Sequence, residues 1–438
     1  MQIDKTTFND LSIFSQEEEF SVFHKIDHTR TVGGRELLRW MMAHPADDLR
    51  KIRETQQILK VILENTEAWT LRISNGTMMV IERFYDAGID TIPARPHVFN
   101  SLFYKWFHGP DYGLIRYSVK HFRDFVSGMS ILGQLIDNIT EAPPRLQAYR
   151  ERISSIMHDP HLISLARKKE ETFSIKDVLY YSNYFKYHFR NRFIELAEIF
   201  YQLDAWYSMA VAIKKFNLSF PEFLDIPEPY IKAERMHHIL LSHPVSYDIQ
   251  LSPSSNFIFL TGANMAGKST FIKSLGVAVY LAHLGMGVPA AKLQLTMFDG
   301  VLTNINVADN IVKGESYFFN EVQRIKNTIL TINDGRKWLV LIDELFKGTN
   351  VQDAMRCSLA VINGLIRIKG SLFVLSTHLY EIGEEIKTNP NISFKYFETS
   401  IKDDKLAFSY QLKDGISNDR LGYFILKSEK VVELLESL

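Results

Sequence analysis

Eight consecutive residues, Gly262-Ala263-Asn264-Met265-Ala266-Gly267-Lys268-Ser269, fit the pattern G-x-x-x-x-G-K-S/T. The glycines let such a loop wrap closely enough for backbone N–H groups to cradle phosphates, and a helix starting at the loop adds positive potential. Lys268 then reaches the outer phosphates, and the Ser269 hydroxyl can ligate Mg²⁺. Further on, Trp338-Leu339-Val340-Leu341-Ile342-Asp343-Glu344 is an apolar run ending in two carboxylates. Open α/β sheets bind ligands at the carboxyl ends of their strands, so Asp343 belongs to the Mg²⁺ shell and Glu344 orients or deprotonates an attacking water. A third apolar run, Leu372 to Leu375, ends in Ser376-Thr377-His378. A histidine on that edge can donate to a γ-phosphate and sense its loss. The competing readings are a chance glycine-rich turn, a helix-capping Asp-Glu pair and a satisfied surface histidine.

These residues need a scaffold that brings three loop clusters together. Phe257 to Leu260, Leu339 to Ile342 and Leu372 to Leu375 are short apolar runs separated by helical stretches, the pattern of a parallel sheet buried on both faces. Upstream, Pro221, Pro227, Pro229, Pro244 and Pro253 punctuate a connector without long helical periodicity. The spacing therefore predicts a multidomain chain, an all-α domain over 1–225 followed by an α/β P-loop NTPase domain over 226–438. In the first half, Ser15 and Glu18 form a candidate capping box. Gly33 and Gly34 punctuate the chain before the apolar stripe of Leu37, Leu38, Met41 and Met42. A second amphipathic run covers Asp47 to Leu63. From Ile175 to Phe216 the helical pattern runs without glycine or proline; one helix there would be on the order of 60 Å long, a lever or strut.

The chain has 438 residues, enough for roughly two or three domains. Fifty Lys and Arg against 51 Asp and Glu leave a net charge of -1, so any nucleic-acid contact must come from a local patch. No stretch reaches the roughly 18 apolar residues of a membrane span, so no membrane partner is expected. One cysteine, Cys357, and an N-terminus without an apolar targeting core point to the reducing cytoplasm.

With those residues in hand, the loop Thr261 to Thr270 resembles the T-G-P-N-M-G-G-K-S-T loop of the MutS mismatch-repair ATPases, whose Asn-Met pair is more specific than a bare phosphate loop. His243-Pro244-Val245 is similar to the R-H-P-V that opens that family's ATPase domain. Asp309-Asn310-Ile311 through Gly314-Glu315-Ser316-Tyr317-Phe318-Phe319-Asn320-Glu321 resembles its signature D-D-L-x-x-G-x-S-T-F-M-x-E, and Ser376 to Glu381 resembles A-T-H-Y-F-E-L. In the first half, Ile26 to Trp40 is similar to the core-domain pattern L-D-x-T-x-T-x-x-G-x-R-L-L-R-x-W-L, with Arg53 to Gln56 like the R-x-R-Q after it. The resemblance implies an ABC-type ATPase that hydrolyses ATP with Mg²⁺ and forms a head-to-tail homodimer through the ATPase domain, DNA being its partner. Ser316 would then reach the γ-phosphate of the other subunit's site; its alternative is a plain helix cap. Asn264 would contact the nucleotide phosphates. Tyr410, upstream of Asp414-Gly415, matches the ring that stacks on adenine, with a core aromatic as the alternative.

Differences from the family are equally specific. The chain starts at the core-like segment, so the mismatch-reading and connector domains of full-length members are expected to be missing. Residues 65–175 read as helices where a β-rich clamp would lie. Ala263 and Ala266 replace Pro and Gly, Tyr317 replaces Thr, and Leu345-Phe346-Lys347-Gly348-Thr349 replaces I-G-R-G-T. Near the chain's end, only one helix, around Glu429 to Leu435, stands for the family's dimer element. On the long helix, Phe185, Phe189 and Phe193 recur as a packing stripe, while Lys186 and Arg190 share a neighbouring stripe that could meet DNA phosphates or simply face solvent. Two functions follow: a MutS-type ATPase coupling nucleotide state to DNA engagement in repair or recombination, or an ATP-gated assembly factor acting on a protein or ribonucleoprotein.

Overall fold

A computed structural model of the chain describes residues 1–69, 72–168, 172–306, 317–402, 405–417 and 430–436. They fall into two compact units, one of residues 1–25, 44–53 and 215–438, the other of residues 26–43 and 54–214. All strands lie in the first: β1 (Gln2–Ile3), β2 (Glu222–Phe223), β3 (Ile231–Met236), β4 (Tyr247–Leu251), β5 (Phe257–Thr261), β6 (Lys292–Leu295), β7 (Gly300–Asn304), β8 (Trp338–Asp343), β9 (Ser371–Ser376), β10 (Ile392–Lys402) and β11 (Lys405–Asp414).

Every residue of β5, β8 and β9 is buried, which is why these strands read as unbroken apolar runs. They are neighbours in a seven-stranded sheet of order β1-β7-β8-β9-β5-β10-β11, parallel throughout except for the β10–β11 pair. Asp343 at the end of β8 is in register with Ser376 at the end of β9, so the loops that follow both strands leave from the same edge as the phosphate loop after β5. A second sheet, β2-β6-β3-β4, is mostly antiparallel. The helix Lys268–His283 packs on β8 and β9 of the large sheet and on β3 of the small one, and is buried almost all round.

Two expectations change here. Residues 221–253 are more than a connector: β3 and β4 pair within them, and a register shift between Ala233 and Met236 blurs the alternation that would have marked them as strands. The division at residue 225 also differs from the compact units, because residues 1–25 join the α/β unit. Gln2–Ile3 adds a parallel edge strand beside β7. Asp10, itself buried, accepts from Thr303 Oγ1 at 2.7 Å, from the backbone N–H groups of Ile305 and Asn306, and from Arg324 at 3.2 Å. Leu11 packs so closely on the helix Lys268–His283 that a Cβ at Gly276 would lie 2.5 Å from it.

The second unit contains only helices among its described residues. Its long C-terminal helix is interrupted: Ile175–Tyr184 leads into a π-helical turn, Phe185–Phe189, and then into Arg190–Lys215. The last segment is buried on nearly every side, from Phe193 and Leu196 through Trp206 to Ile213, which makes it a central core helix and not an exposed strut. Gly33 and Gly34 do not break the chain. They open the helix Val32–Ala43, where an added Cβ would lie 2.4 Å from the Tyr201 ring and 2.2 Å from Asp204 Oδ2 respectively. The turn in that stretch begins at Glu18, with Glu17 and not Ser15 at its cap position, and Ser21 accepts from the His24 N–H at the start of the helix Val22–Ile26.

Candidate active site

The loop between β5 and the helix Lys268–His283 adopts positive φ at Gly262 (139°), Met265 (67°) and Gly267 (111°). A Cβ at Gly262 would sit 3.2 Å from the Phe397 carbonyl oxygen, so glycine also serves the close approach of β10. Ala263, Asn264, Met265, Gly267, Lys268, Ser269 and Thr270 line one cleft of about 450 Å³. Ala266 is buried beneath the loop. Leu241, His243, Val245, Tyr247, Glu344 and Tyr410 complete the lining.

Within the cleft, Lys268 is buried and donates from Nζ to the carbonyls of Gly262 (2.8 Å) and Ala263 (3.1 Å). Burial lowers its pKa, and the Glu344 and Asp343 carboxylates oppose that shift. The Ser269 hydroxyl donates to Asp343 Oδ2 at 2.5 Å, and the Ser376 hydroxyl donates to the other oxygen, Oδ1. Hydroxyl and carboxylate thus share one small volume at the head of the helix.

Glu344 follows in a left-handed conformation (φ 64°), which turns its backbone N–H onto the Ser376 carbonyl, 3.0 Å away. Three basic groups surround its carboxylate: Lys347 Nζ at 3.2 Å, His378 Nδ1 at 3.7 Å and Lys268 Nζ at 4.0 Å. Burial pushes its pKa up, but His378, Lys347 and Lys268 together outweigh that and pull it down to about 2. The carboxylate is therefore ionised across the physiological range, as a group that orients water must be.

Ser269 is hydrogen-bonded to Asp343, and Lys268 and His378 flank Glu344, while Tyr410, with a positive φ of 53°, lines the cleft beside Gly267. Ser316 lies outside the described residues. The signature-like segment is visible from Tyr317 onward, as the start of the helix Tyr317–Ile332. Its Glu321 is buried and accepts from the backbone N–H groups of Lys347 (3.2 Å) and Gly348 (3.3 Å), while Phe318 packs against Phe346. This tie between the signature-like helix and the loop after Glu344 escaped the sequence, as did Ser376 and Lys347 as partners of the two carboxylates. Their signal was present in the quoted motifs, which contain all of these residues.

The DNA stripe on the long helix is corrected at one of its two positions. Lys186 donates from Nζ to the carbonyls of Phe84 (2.9 Å), Tyr85 (3.0 Å) and Ala87 (2.9 Å), at the C-terminal end of the helix Asn75–Asp86. All three of its N–H groups are committed there, so it is a helix cap and not a phosphate ligand. Arg190 is exposed and its guanidinium lies 5.8 Å from the centre of the Tyr85 ring.

Residues 258–434 match the family model for MutS domain V. Among curated relatives, the DNA mismatch repair protein MutS of Petrotoga mobilis is 29% identical over 230 residues, covering 52% of this chain and 28% of the relative. Its counterpart from Streptococcus suis is 27% identical over 242 residues, covering 54% and 28%. That of Thermotoga maritima is 29% identical over 237 residues, covering 53% and 29%. The matches therefore span a little over a quarter of the length of these relatives. No helix among the described residues is long and apolar enough to cross a membrane. Over residues 258–434 the chain is thus similar to MutS domain V, and its likeness to these mismatch repair proteins extends over a little more than half its length.

Proposed function

We propose that the chain is a Mg²⁺-dependent ATPase of the MutS type, a cytoplasmic homodimer joined through its α/β domain, which couples nucleotide state to DNA engagement in repair or recombination. The observation that carries this reading is that Lys268, Ser269 and Glu344 line one cleft, with Asp343 hydrogen-bonded to Ser269 behind it.

The residues fit the ion: Ser269 and Asp343 are hard oxygen donors already within 2.5 Å of each other, the donor type Mg²⁺ selects. When bound, the ion neutralises charge on the phosphate oxygens. Ser376 holds the second Asp343 oxygen and so fixes the carboxylate's orientation. Lys268 commits two of its three N–H groups to Gly262 and Ala263 and keeps one for a phosphate oxygen. Glu344, ionised, orients the attacking water and accepts its proton. His378 donates to the γ-phosphate, and Asn264 contacts the phosphates within the loop. Tyr410 stacks on the adenine, with Leu241 and Val245 as apolar walls of the cleft. Ser316 completes the other subunit's site, with its helix N-terminus adding positive potential.

ATP turnover by the purified chain tests this, measured with and without Mg²⁺ and with duplex, mismatched and branched DNA across a salt series. Mg²⁺-dependent turnover that disappears in Glu344→Gln while ATP is still bound supports the site; no turnover in any condition overturns it. Stimulation by a particular DNA structure supports DNA coupling. Turnover indifferent to every DNA, with ATP-driven dimerisation intact, transfers the reading to an ATP-gated assembly factor for a protein or ribonucleoprotein. For the trans site, mixed Lys268→Ala and Ser316→Ala subunits are expected to regain activity in one of the two composite sites; mixtures no more active than the separate variants refute it.

A further inference from the structure

Between β8 and the helix Val351–Leu365, the chain turns twice through the left-handed region, at Glu344 (φ 64°) and at Phe346 (φ 58°). A residue with a Cβ takes that conformation at a cost, and glycine is its usual occupant. Glycine does stand at the matching place of the family pattern I-G-R-G-T, where this chain has Phe346. Such strain persists only where the surroundings hold it. Here the helix Tyr317–Ile332 supplies two contacts that do so.

Phe318, Glu321 and Ile325 recur at helical spacing on one side of that helix. Ile325 and Phe346 are buried in one apolar cluster with Phe318 packed against it, and the Phe318 and Phe346 rings stand 5.7 Å apart between centroids. Glu321, only 2% exposed, places a carboxylate in the same stripe. Its two oxygens each accept from one of two consecutive N–H groups, Lys347 at 3.2 Å and Gly348 at 3.3 Å. The loop thus forms a small nest around an anion fixed to the helix. Withdrawing these donors would leave a buried acceptor unsatisfied, so loop and helix favour this one arrangement.

One loop residue carries the restraint on to the candidate base. Lys347 donates its backbone N–H to Glu321, while its ammonium lies 3.2 Å from the Glu344 carboxylate. The Glu344 backbone N–H donates to the Ser376 carbonyl at the end of β9 (3.0 Å). Glu344 is therefore held from two directions, by the sheet through its own backbone and by the helix through the loop. Phe346 and Glu321 do not line the cleft. Any influence they have on turnover must pass through Glu344 and Lys347.

We propose that Phe346 and Glu321 are positioning residues, through which the seat of the helix Tyr317–Ile332 decides whether Glu344 is aligned on the attacking water. This rests on the reading of Glu344 as the base. The test compares steady-state turnover, ATP affinity by equilibrium dialysis and thermal melts of the full chain carrying Phe346→Gly, Phe318→Ala, both together, or Glu321→Gln. Phe346→Gly removes the ring and relieves the backbone; Glu321→Gln keeps the side chain's shape and replaces one acceptor by a donor. Each lowers kcat by about tenfold to a hundredfold while ATP affinity stays within about twofold, as displacement of a group used only in the chemical step requires. The double variant loses no more than Phe346→Gly alone, because both rings act through one contact. Unchanged kcat in Phe346→Gly and Glu321→Gln overturns the proposal. So does a fall in kcat that ATP affinity and melting temperature follow in step, the mark of general loosening, or a double variant whose loss is the product of the single ones. Normal turnover in Glu344→Gln overturns the base assignment and this proposal with it. Turnover lost in Glu344→Gln but kept in the other variants overturns this proposal alone.

Discussion

Two lysines show how one side chain is put to opposite uses in the two units. Lys268 and Lys186 both sit on helices, both donate from Nζ to backbone carbonyls, and both have a pKa lowered first by burial. Lys186 spends three N–H groups on three carbonyls at the end of one helix, and its position is that of a rivet. Lys268 spends two, on the loop that it must hold in shape, and stands 4.0 Å from an ionised carboxylate. What separates a poised cation from a structural one is the number of donors left over, which no count of charged residues reveals.

The sharpest way to break the comparison is to remove each amine. Lys268→Ala is expected to lower ATP turnover by about 10²–10³-fold or more, the scale of losing one donor to developing phosphate charge, with little change in melting temperature. Steady-state kinetics beside a thermal melt decides this; a large melting shift with modest kinetic loss would make Lys268 the structural member of the pair. Lys186→Met is expected to do the reverse. It leaves three carbonyls at a helix end without their donor, costing about 1–3 kcal/mol and several degrees of melting temperature, with turnover retained. If that variant instead lowers the salt slope of DNA binding by about one unit at constant stability, Lys186 is a phosphate contact after all.

Gly34→Ala probes the packing around the helical unit's buried carboxylate. Asp204 accepts from Thr31 Oγ1 (2.7 Å) and from the backbone N–H groups of Arg30 and Thr31, and an alanine Cβ at position 34 would lie 2.2 Å from its Oδ2. A loss of about 1–3 kcal/mol is expected from this overpacking, read in a chemical melt. A neutral result would mean that the helix Val32–Ala43 can shift without cost.

Much of the candidate site's geometry was legible in the sequence because its determinants are local. A G-x-x-x-x-G-K-S/T loop carries its own helix start, and strands buried on both faces, such as β5 and β8, leave unbroken apolar runs. The register of Asp343 with Ser376 then follows from adjacency of β8 and β9. Contacts set by distant segments were not legible. Lys186 finds its carbonyls about a hundred residues upstream, and Asp10 finds Thr303 and Arg324 some three hundred residues downstream. A two-residue strand such as Gln2–Ile3 has no periodicity to detect. The Gly33-Gly34 pair reads as punctuation until Tyr201 and Asp204 are seen against it, when it becomes a place where only hydrogen fits.

The finest comparison is between the two buried carboxylates, and acid distinguishes them. Asp204 and Glu344 are both penalised by burial. Around Asp204 the hydrogen bonds from Thr31 and Arg30 do not offset it, and the pKa is raised; around Glu344, His378, Lys347 and Lys268 more than offset it, and the pKa falls from 4.5 to about 2. A lowered folded-state value means that Glu344 contributes stability fully present above the unfolded value near 4.5 and lost as pH falls toward 2. A raised value at Asp204 has the opposite sign, since protonation there relieves the folded state first. Melting temperatures from pH 5 downward should therefore decline less steeply in Glu344→Gln than in wild type, and more steeply in Asp204→Asn. Parallel declines in all three proteins would mean that the cations around Glu344 stabilise it no better in the folded chain than water does in the unfolded one, and its role as a permanently ionised base would need another source.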